Sequence, residues 1–275
     1  MCRVLEISRS GYYDWQSKGM PQKQDRDAVL LASIRQVERE NGGNYGVRRV
    51  HKQLSFDGVK CSRSRVQRVM HVNGVKAQIR SKYKPQTTKA DPAEKAFPNL
   101  LEQDFSVKEK NKVWLSDITY IRVNGKWAYL AAVIDLGRRK LVGWALGVSP
   151  DAELAAAALK QAIAREQPES GLIHHSDRGS QYTSKLYREL LGNNEFAGSM
   201  SRTGNPYDNA PMESFFQTLK TEFVYKQAFG TIEQAARLLG EWFDYYNTVR
   251  LHSALGYKSP LSYEISSFHS LILSA

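Results

Sequence analysis

The chain has 275 residues, 41% hydrophobic and 24% charged, with a formal net charge of +11 at pH 7. That length buries a real core and predicts about two domains, at roughly 150 residues each. The composition excludes a wholly disordered or fibrous chain, no uncharged apolar run reaches the ~18 residues of a bilayer span, and no secretory leader opens the sequence. Two cysteines, Cys2 and Cys61, build no disulfide framework, so a reducing cytoplasm is the expected compartment.

The charge is unevenly spread. Residues 1–90 hold 19 basic and 7 acidic residues, whereas residues 91–275 hold 20 and 21. A basic block of this kind suits a phosphate-binding module, because Lys and Arg displace counterions from nucleic acid. A solvated basic surface is the plain alternative.

Apolar spacing predicts a helix over Ala28–Glu40, with Val29, Leu30, Ile34 and Val37 on its inner face, ended by Asn41-Gly42-Gly43-Asn44. A second helix is expected after Tyr45-Gly46, with Val47, Val50 and Leu54 inward, and a third after the cap Ser62, with Val66, Val69 and Met70 inward. Three short helices, the last rich in arginine, predict a helix-turn-helix-like DNA-binding region over residues 1–84. Arg48, Arg49, Arg63, Arg65 and Arg68 are its candidate DNA contacts. His51, Cys61 and His71 match no zinc spacing. Residues 85–109, with prolines 85, 92 and 98, read as a linker.

From Lys112 the pattern turns to strands. Val113–Val123, Trp127–Leu136 and Lys140–Val148 are rich in β-branched and aromatic residues, and Asn124-Gly125 marks a hairpin. A helix over Asp151–Glu166 and a short strand over Gly171–His175 follow. This order predicts an α/β ribonuclease H-like domain over residues 110–275: a mixed five-stranded sheet with helices, and a C-terminal helical extension over Thr231–Arg250 whose aromatic load reads as core packing.

Three acids stand out. Asp117 interrupts an apolar strand, where an unpaired carboxylate is costly, although a hydrogen-bonded structural Asp reads as well for one residue alone. Asp177 follows a strand directly, a place where ligands and ordinary turns both occur. Glu213 lies near the start of a helix that Asp208 or Asn209 can cap, and Glu213, Gln217 and Lys220 share one polar stripe.

These residues carry a resemblance. Asp117 is followed after 59 residues by Asp177, after 35 more by Glu213, and Lys220 stands seven beyond. The pattern resembles the Asp-Asp-(35)-Glu signature of retroviral integrases and bacterial transposases. The words Trp114 to Tyr120, His175 to Tyr182, Asn209 to Phe216 and Tyr246 to Tyr257 with Ser259-Pro260 resemble the second-frame (OrfB-type) product of two-frame insertion-sequence transposases. Ser8 to Tyr13 and Tyr45 to Arg49 extend the likeness nearly end to end. Gln103, where that family usually has Arg, and Pro206, where Cys is frequent, depart from it without touching the acids.

The resemblance implies 3′-end cleavage and strand transfer, with Asp117, Asp177 and Glu213 as both catalytic residues and metal ligands. They would hold two Mg²⁺ ions, for which Mn²⁺ substitutes. Lys220 would contact the DNA end. Double-stranded DNA, a homo-oligomer on that DNA, and the first-frame product or a fused longer form are the implied partners. No membrane is expected, and a bacterial, cytoplasmic, nucleoid-associated protein is. A DNA-binding regulator with an unused catalytic domain, or a nuclease on the same fold, are the rival readings.

Overall fold

The computed structural model of the chain describes Cys2 and residues 8–18, 21–78 and 96–274. Two compact units divide it, residues 1–79 and 80–275.

The first unit is all helical: α1 (Arg9–Lys18), α2 (Pro21–Glu40), α3 (Val47–Phe56) and α4 (Arg63–Val72). Leu30, Ile34 and Val37 of α2 close on Val50 and Leu54 of α3 and on Val66, Val69 and Met70 of α4. Val29, expected inward, is 70% exposed. It lies about 100° around the helix from Leu30, outside the stripe that Ile34 and Val37 continue. Ser62 caps α4 as expected, accepting from the Arg65 N–H. α2 begins at Pro21, seven residues before the predicted start, because a polar first half carries no periodic signal. His51 Nε2 meets the Cys61 carbonyl at 3.1 Å, a local hydrogen bond.

The second unit is a five-stranded sheet with helices on both faces. In chain order it runs β1 (Val113–Val123), β2 (Lys126–Asp135), β3 (Lys140–Gly147), α5 (Ala152–Glu166), β4 (Ile173–Ser176), α6 (Ser180–Thr183), α7 (Lys185–Asn193), β5 (Ala197–Met200), α8 (Ala210–Glu222), α9 (Ile232–Thr248) and α10 (Pro260–Ser274). The sheet order is β3-β2-β1-β4-β5. β1, β2 and β3 pair antiparallel, and β4 and β5 continue parallel to β1. This is the ribonuclease H-like arrangement.

β1 is buried on both faces, which explains its unbroken apolar run. Leu115 and Ile121 join Met212, Phe215 and Leu219 of α8 and Leu239 and Phe243 of α9 in one core. Trp114 joins Ala155, Leu159 and Ala162 of α5 in the other. The aromatic load of α9 is core, as expected. α5 lies so close to β3 that a Cβ on Gly143 would strike the Ala158 carbonyl and Ala162. Gly143→Val therefore costs on the order of 3 kcal/mol, since the obstacle is helix backbone. A urea unfolding curve with an unchanged midpoint would contradict this packing.

Residues 85–95 of the expected linker lie outside the described residues. Residues 96–101 pack on the second unit. The Phe97 ring fills the space above Gly198, with the Arg188 guanidinium 4.8 Å away. The Met200 N–H donates to the Pro98 carbonyl at 3.2 Å, the Leu100 N–H to the Ser199 hydroxyl at 2.9 Å, and Leu101 enters the core. Proline removes helix, but it does not prevent an extended segment from docking on β5. Among the described residues no helix is long and apolar enough to cross a membrane.

Candidate active site

β1 pairs with β4 only from Val113↔Ile173 to Leu115↔His175. Two residues further along each chain stand Asp117 and Asp177. The parallel register thus sets the two carboxylates level with each other where the strands part. Asp117 is half-buried, and its Oδ1 accepts the Ile118 N–H at 2.7 Å. Burial, then the negative charges of Asp177 and Glu213, push its pKa well above the usual carboxylate range, with Lys220 opposing. Asp177 Oδ1 accepts the Gly179 N–H at 2.9 Å, fixing the turn into α6.

Glu213 arrives on the first turn of α8. The helix start is tied to β1 by Asn209, whose Nδ2 donates to the Ser116 carbonyl at 3.4 Å. The loop before it is organised by Asp208, a fully buried carboxylate. Asp208 accepts from the Arg202 N–H, Arg202 Nε and Nη2, Asn205 Nδ2 and Gln103 Nε2. The Arg202 hydrogen bonds above all hold its carboxyl far below the ordinary range. Neither Asp208 nor Asn209 makes the expected side-chain cap of α8: the Asp208 carboxylate is taken up by the loop, and Asn209 is turned with its Nδ2 toward the Ser116 carbonyl. Gln103, the departure noted in the sequence, keeps a donor on Asp208. Arg178 reinforces the same loop, donating to the Ser201 carbonyl and the Thr203 hydroxyl.

Glu213 is exposed, and partial desolvation of its carboxyl raises its pKa. Among the described residues no three His, Cys, Asp or Glu side chains stand close enough together to hold a metal ion. The polar stripe of α8 is not uniform. Lys220, expected on it, is only 4% exposed, with its ammonium 4.4 Å above the Tyr120 ring. Burial lowers its pKa to about 8 against the pull of Asp117.

The neighbouring histidines are structural. His175, buried, meets the Ser199 and Ser201 hydroxyls, and burial lowers its pKa to about 4. His174 meets the Ser116 and Tyr187 hydroxyls, and burial lowers its pKa to about 3. In the helical unit Arg48 and Arg63 are exposed, and Arg49 lies 5.4 Å from the Tyr45 ring. Arg65 and Arg68 both pair with Asp27 of α2, at 2.9 and 2.7 Å. Sequence reasoning missed Asp27, since an acid that closes an ion pair about forty residues away leaves no local signal, and it read Asp208 as a helix cap rather than as the organiser of its loop.

The chain is 42% identical to the transposase for insertion sequence element IS904 of Lactococcus lactis subsp. lactis, over 89% of this chain and 97% of that protein. It is 35% identical to transposase InsF for insertion sequence IS3A of Escherichia coli K12, over 96% and 92%. The chain belongs to the insertion-sequence transposases. Two family profiles described as Integrase core domain match residues 107–206 and 195–260 of the transposase, and an HTH-like domain matches residues 24–83. The acids at 117, 177 and 213 thus lie in the integrase core, and α2 to α4 in the HTH-like domain. Such an enzyme is a polynucleotidyl transferase. Among solved structures, the transposase is similar to the HTLV-2 integrase catalytic core domain in complex with magnesium, at 13% identity over 55% of this chain and 94% of that one, with a TM-score of 0.44. It is also similar to the catalytic domain of Mos1 mariner transposase, at 18% identity over 49% and 70%, with a TM-score of 0.42.

Proposed function

We propose that the chain is the catalytic, second-frame product of an insertion sequence, and that Asp117, Asp177 and Glu213 hold two divalent metal ions for DNA cleavage and strand transfer. The carrying observation is the β1–β4 register, which sets Asp117 and Asp177 level, with Asp117 half-buried and pressed by the like charges of Asp177 and Glu213. A site of this character fits a cation, and its hard oxygen donors fit Mg²⁺, with Mn²⁺ as substitute. Bound there, the ions would neutralise charge on the transferring phosphoryl group and on the attacking and leaving oxygens.

The protein supplies the rest by position. The β1–β4 fork fixes two acids, and the Asp208-held loop delivers the third. Water attacks a phosphodiester at the element's end, and the 3′-oxygen leaves as a free hydroxyl. That hydroxyl attacks a second phosphodiester, whose own 3′-oxygen leaves. No side-chain nucleophile is required. Lys220, beside Asp117, meets the DNA end once the Tyr120 ring that covers its ammonium gives way. Labelled duplexes copied from the DNA flanking the gene should give nicked and joined products in Mg²⁺ or Mn²⁺ and none in EDTA. Products formed equally in EDTA overturn the reading.

Residues 1–84 form the double-stranded DNA contact, joined to the catalytic region 110–275 by the segment 85–109. Arg48, Arg49 and Arg63 supply contacts directly. Arg65 and Arg68 do so from a position set by Asp27. Binding should weaken log-linearly with salt, by about 0.9 log units per log unit of salt for each phosphate contacted. Asp27→Asn removes the anchor that places both guanidiniums and should make that slope shallower by about one to two contacts. A slope unchanged in Asp27→Asn would show Arg65 and Arg68 to be uninvolved. Assembly as a homo-oligomer on DNA, alone or with the first-frame product or a fused longer form, completes the proposal, in a bacterial cytoplasm at the nucleoid.

A further inference from the structure

Among the described residues, two of the buried side-chain atoms that lack a hydrogen-bond partner flank the acids: Asn209 Oδ1 and the Tyr182 hydroxyl. Asn209 is the residue bonded to Ser116. Tyr182 is 1% exposed. A buried hydroxyl without a protein partner is costly, and native structures rarely keep one without a use.

Its placement indicates the use. Tyr182 stands five residues after Asp177. The Tyr182 N–H donates to the Gly179 carbonyl at 2.9 Å, and the Gly179 N–H donates to Asp177 Oδ1 at 2.9 Å. The turn that holds Asp177 therefore also fixes the backbone from which the Tyr182 ring projects. The ring lies edge-on to Tyr187 at 5.2 Å. The Tyr187 hydroxyl and the Ser116 hydroxyl both meet His174 Nε2, at 3.1 and 2.8 Å. Ser116 precedes Asp117. The Tyr182 ring thus reaches the strand of Asp117 through Tyr187 and His174, its backbone is fixed by the turn of Asp177, and the charges of both acids act on its hydroxyl. Burial, and the charges of both acids, keep it protonated and hence a donor.

We infer that Tyr182 is a positioning residue of the cation site: its O–H donates to a carboxylate oxygen of the Asp117–Asp177 pair when that pair holds a divalent cation. The inference rests on the reading of those acids as cation ligands. Groups that orient the ligands of a metal typically change its affinity about 10–100-fold when removed. A tyrosine used only for packing has a different signature, because deleting its hydroxyl leaves the metal untouched.

The test titrates Mn²⁺ into the full chain, following free Mn²⁺ by its electron paramagnetic resonance signal, for wild type, Tyr182→Phe and Asp117→Asn. Thermal unfolding of the metal-free proteins runs alongside. Tyr182→Phe should bind Mn²⁺ about tenfold more weakly. Its metal-free Tm should be unchanged or higher, since the lost hydroxyl had no partner. Its strand transfer should recover as Mn²⁺ is raised. An Mn²⁺ affinity within twofold of wild type overturns the inference, whatever the Tm. Equal binding by wild type and Asp117→Asn removes the cation reading of the acids, and this inference with it.

Discussion

Asp117→Asn should abolish strand transfer and stabilise the metal-free protein at the same time. The loss of activity follows from removing a charged cation ligand, and is expected to be at least about 10³-fold, roughly 4 kcal/mol of transition-state stabilisation. The gain follows from the same carboxylate in the absence of cation. Asp117 is held beside Asp177 and Glu213, and its pKa is raised by burial first and by those charges next. A carboxyl whose folded pKa is raised binds its proton more tightly folded than unfolded. Its contribution to stability is therefore most favourable at low pH. It falls as pH rises from the unfolded value, about 3.9, to the raised folded value. Asn carries no charge to repel, so Asp117→Asn should gain about 1–2 kcal/mol at neutral pH and lose the pH dependence. Equal Tm values for wild type and Asp117→Asn across that range would show that no such repulsion exists. Added Mg²⁺ should narrow the gap by stabilising wild type alone.

Glu222→Gln should cost about 3–5 kcal/mol, the largest single loss expected away from the acids. Glu222 ends α8, and both its oxygens accept from Arg250, Nε and Nη2, at 2.7 Å each. Both side chains are buried. Removing one charge leaves the other uncompensated in the interior. Arg250 also lies 5.7 Å from the Tyr246 ring, which meets His252 edge-on at 4.7 Å. The pair clamps the end of the helix whose first turn carries Glu213, so activity should fall with stability. Glu222→Leu combined with Arg250→Met should recover most of the loss, because a buried ion pair replaced by packed apolar side chains is often neutral. A double variant as unstable as Glu222→Gln would place the stabilisation in packing rather than in charge balance.

Much of the fold was legible because local signals and tertiary structure agree. Val113–Val123 reads as a strand and is β1, Asp151 reads as lying near a helix start and caps α5, and Ser62 caps α4. The sequence also points to Asp117, since an acid in an apolar run reads as a structural residue or a ligand, and its spacing to Asp177 and Glu213 resembles the family signature. What escaped was carried by long-range contacts. β5 has four residues, Ala197–Met200, too few for a period, and α10 lies in a tail without a pattern. Glu264 of α10 nonetheless closes a network with the buried Arg138 and with Lys140. Gln103 stands out in sequence only as a departure and becomes intelligible against Asp208, 105 residues away. The burial of Lys220 escaped for the same reason: its stripe on α8 is polar, but Tyr120 on another element covers its end.

The proposed site depends most on Glu213, the acid that comes from a helix rather than the sheet and that stands exposed in this arrangement. The most direct measurement is strand transfer in Mn²⁺ by wild type and Glu213→Gln, on labelled duplexes copied from the DNA flanking the gene. An exposed residue in a helix first turn tolerates Gln without loss of fold, which circular dichroism verifies. Joined products from wild type, with at least about 10²-fold less from Glu213→Gln, are the result the three-carboxylate site predicts. Equal product from both proteins would contradict it and remove Glu213 from the chemistry.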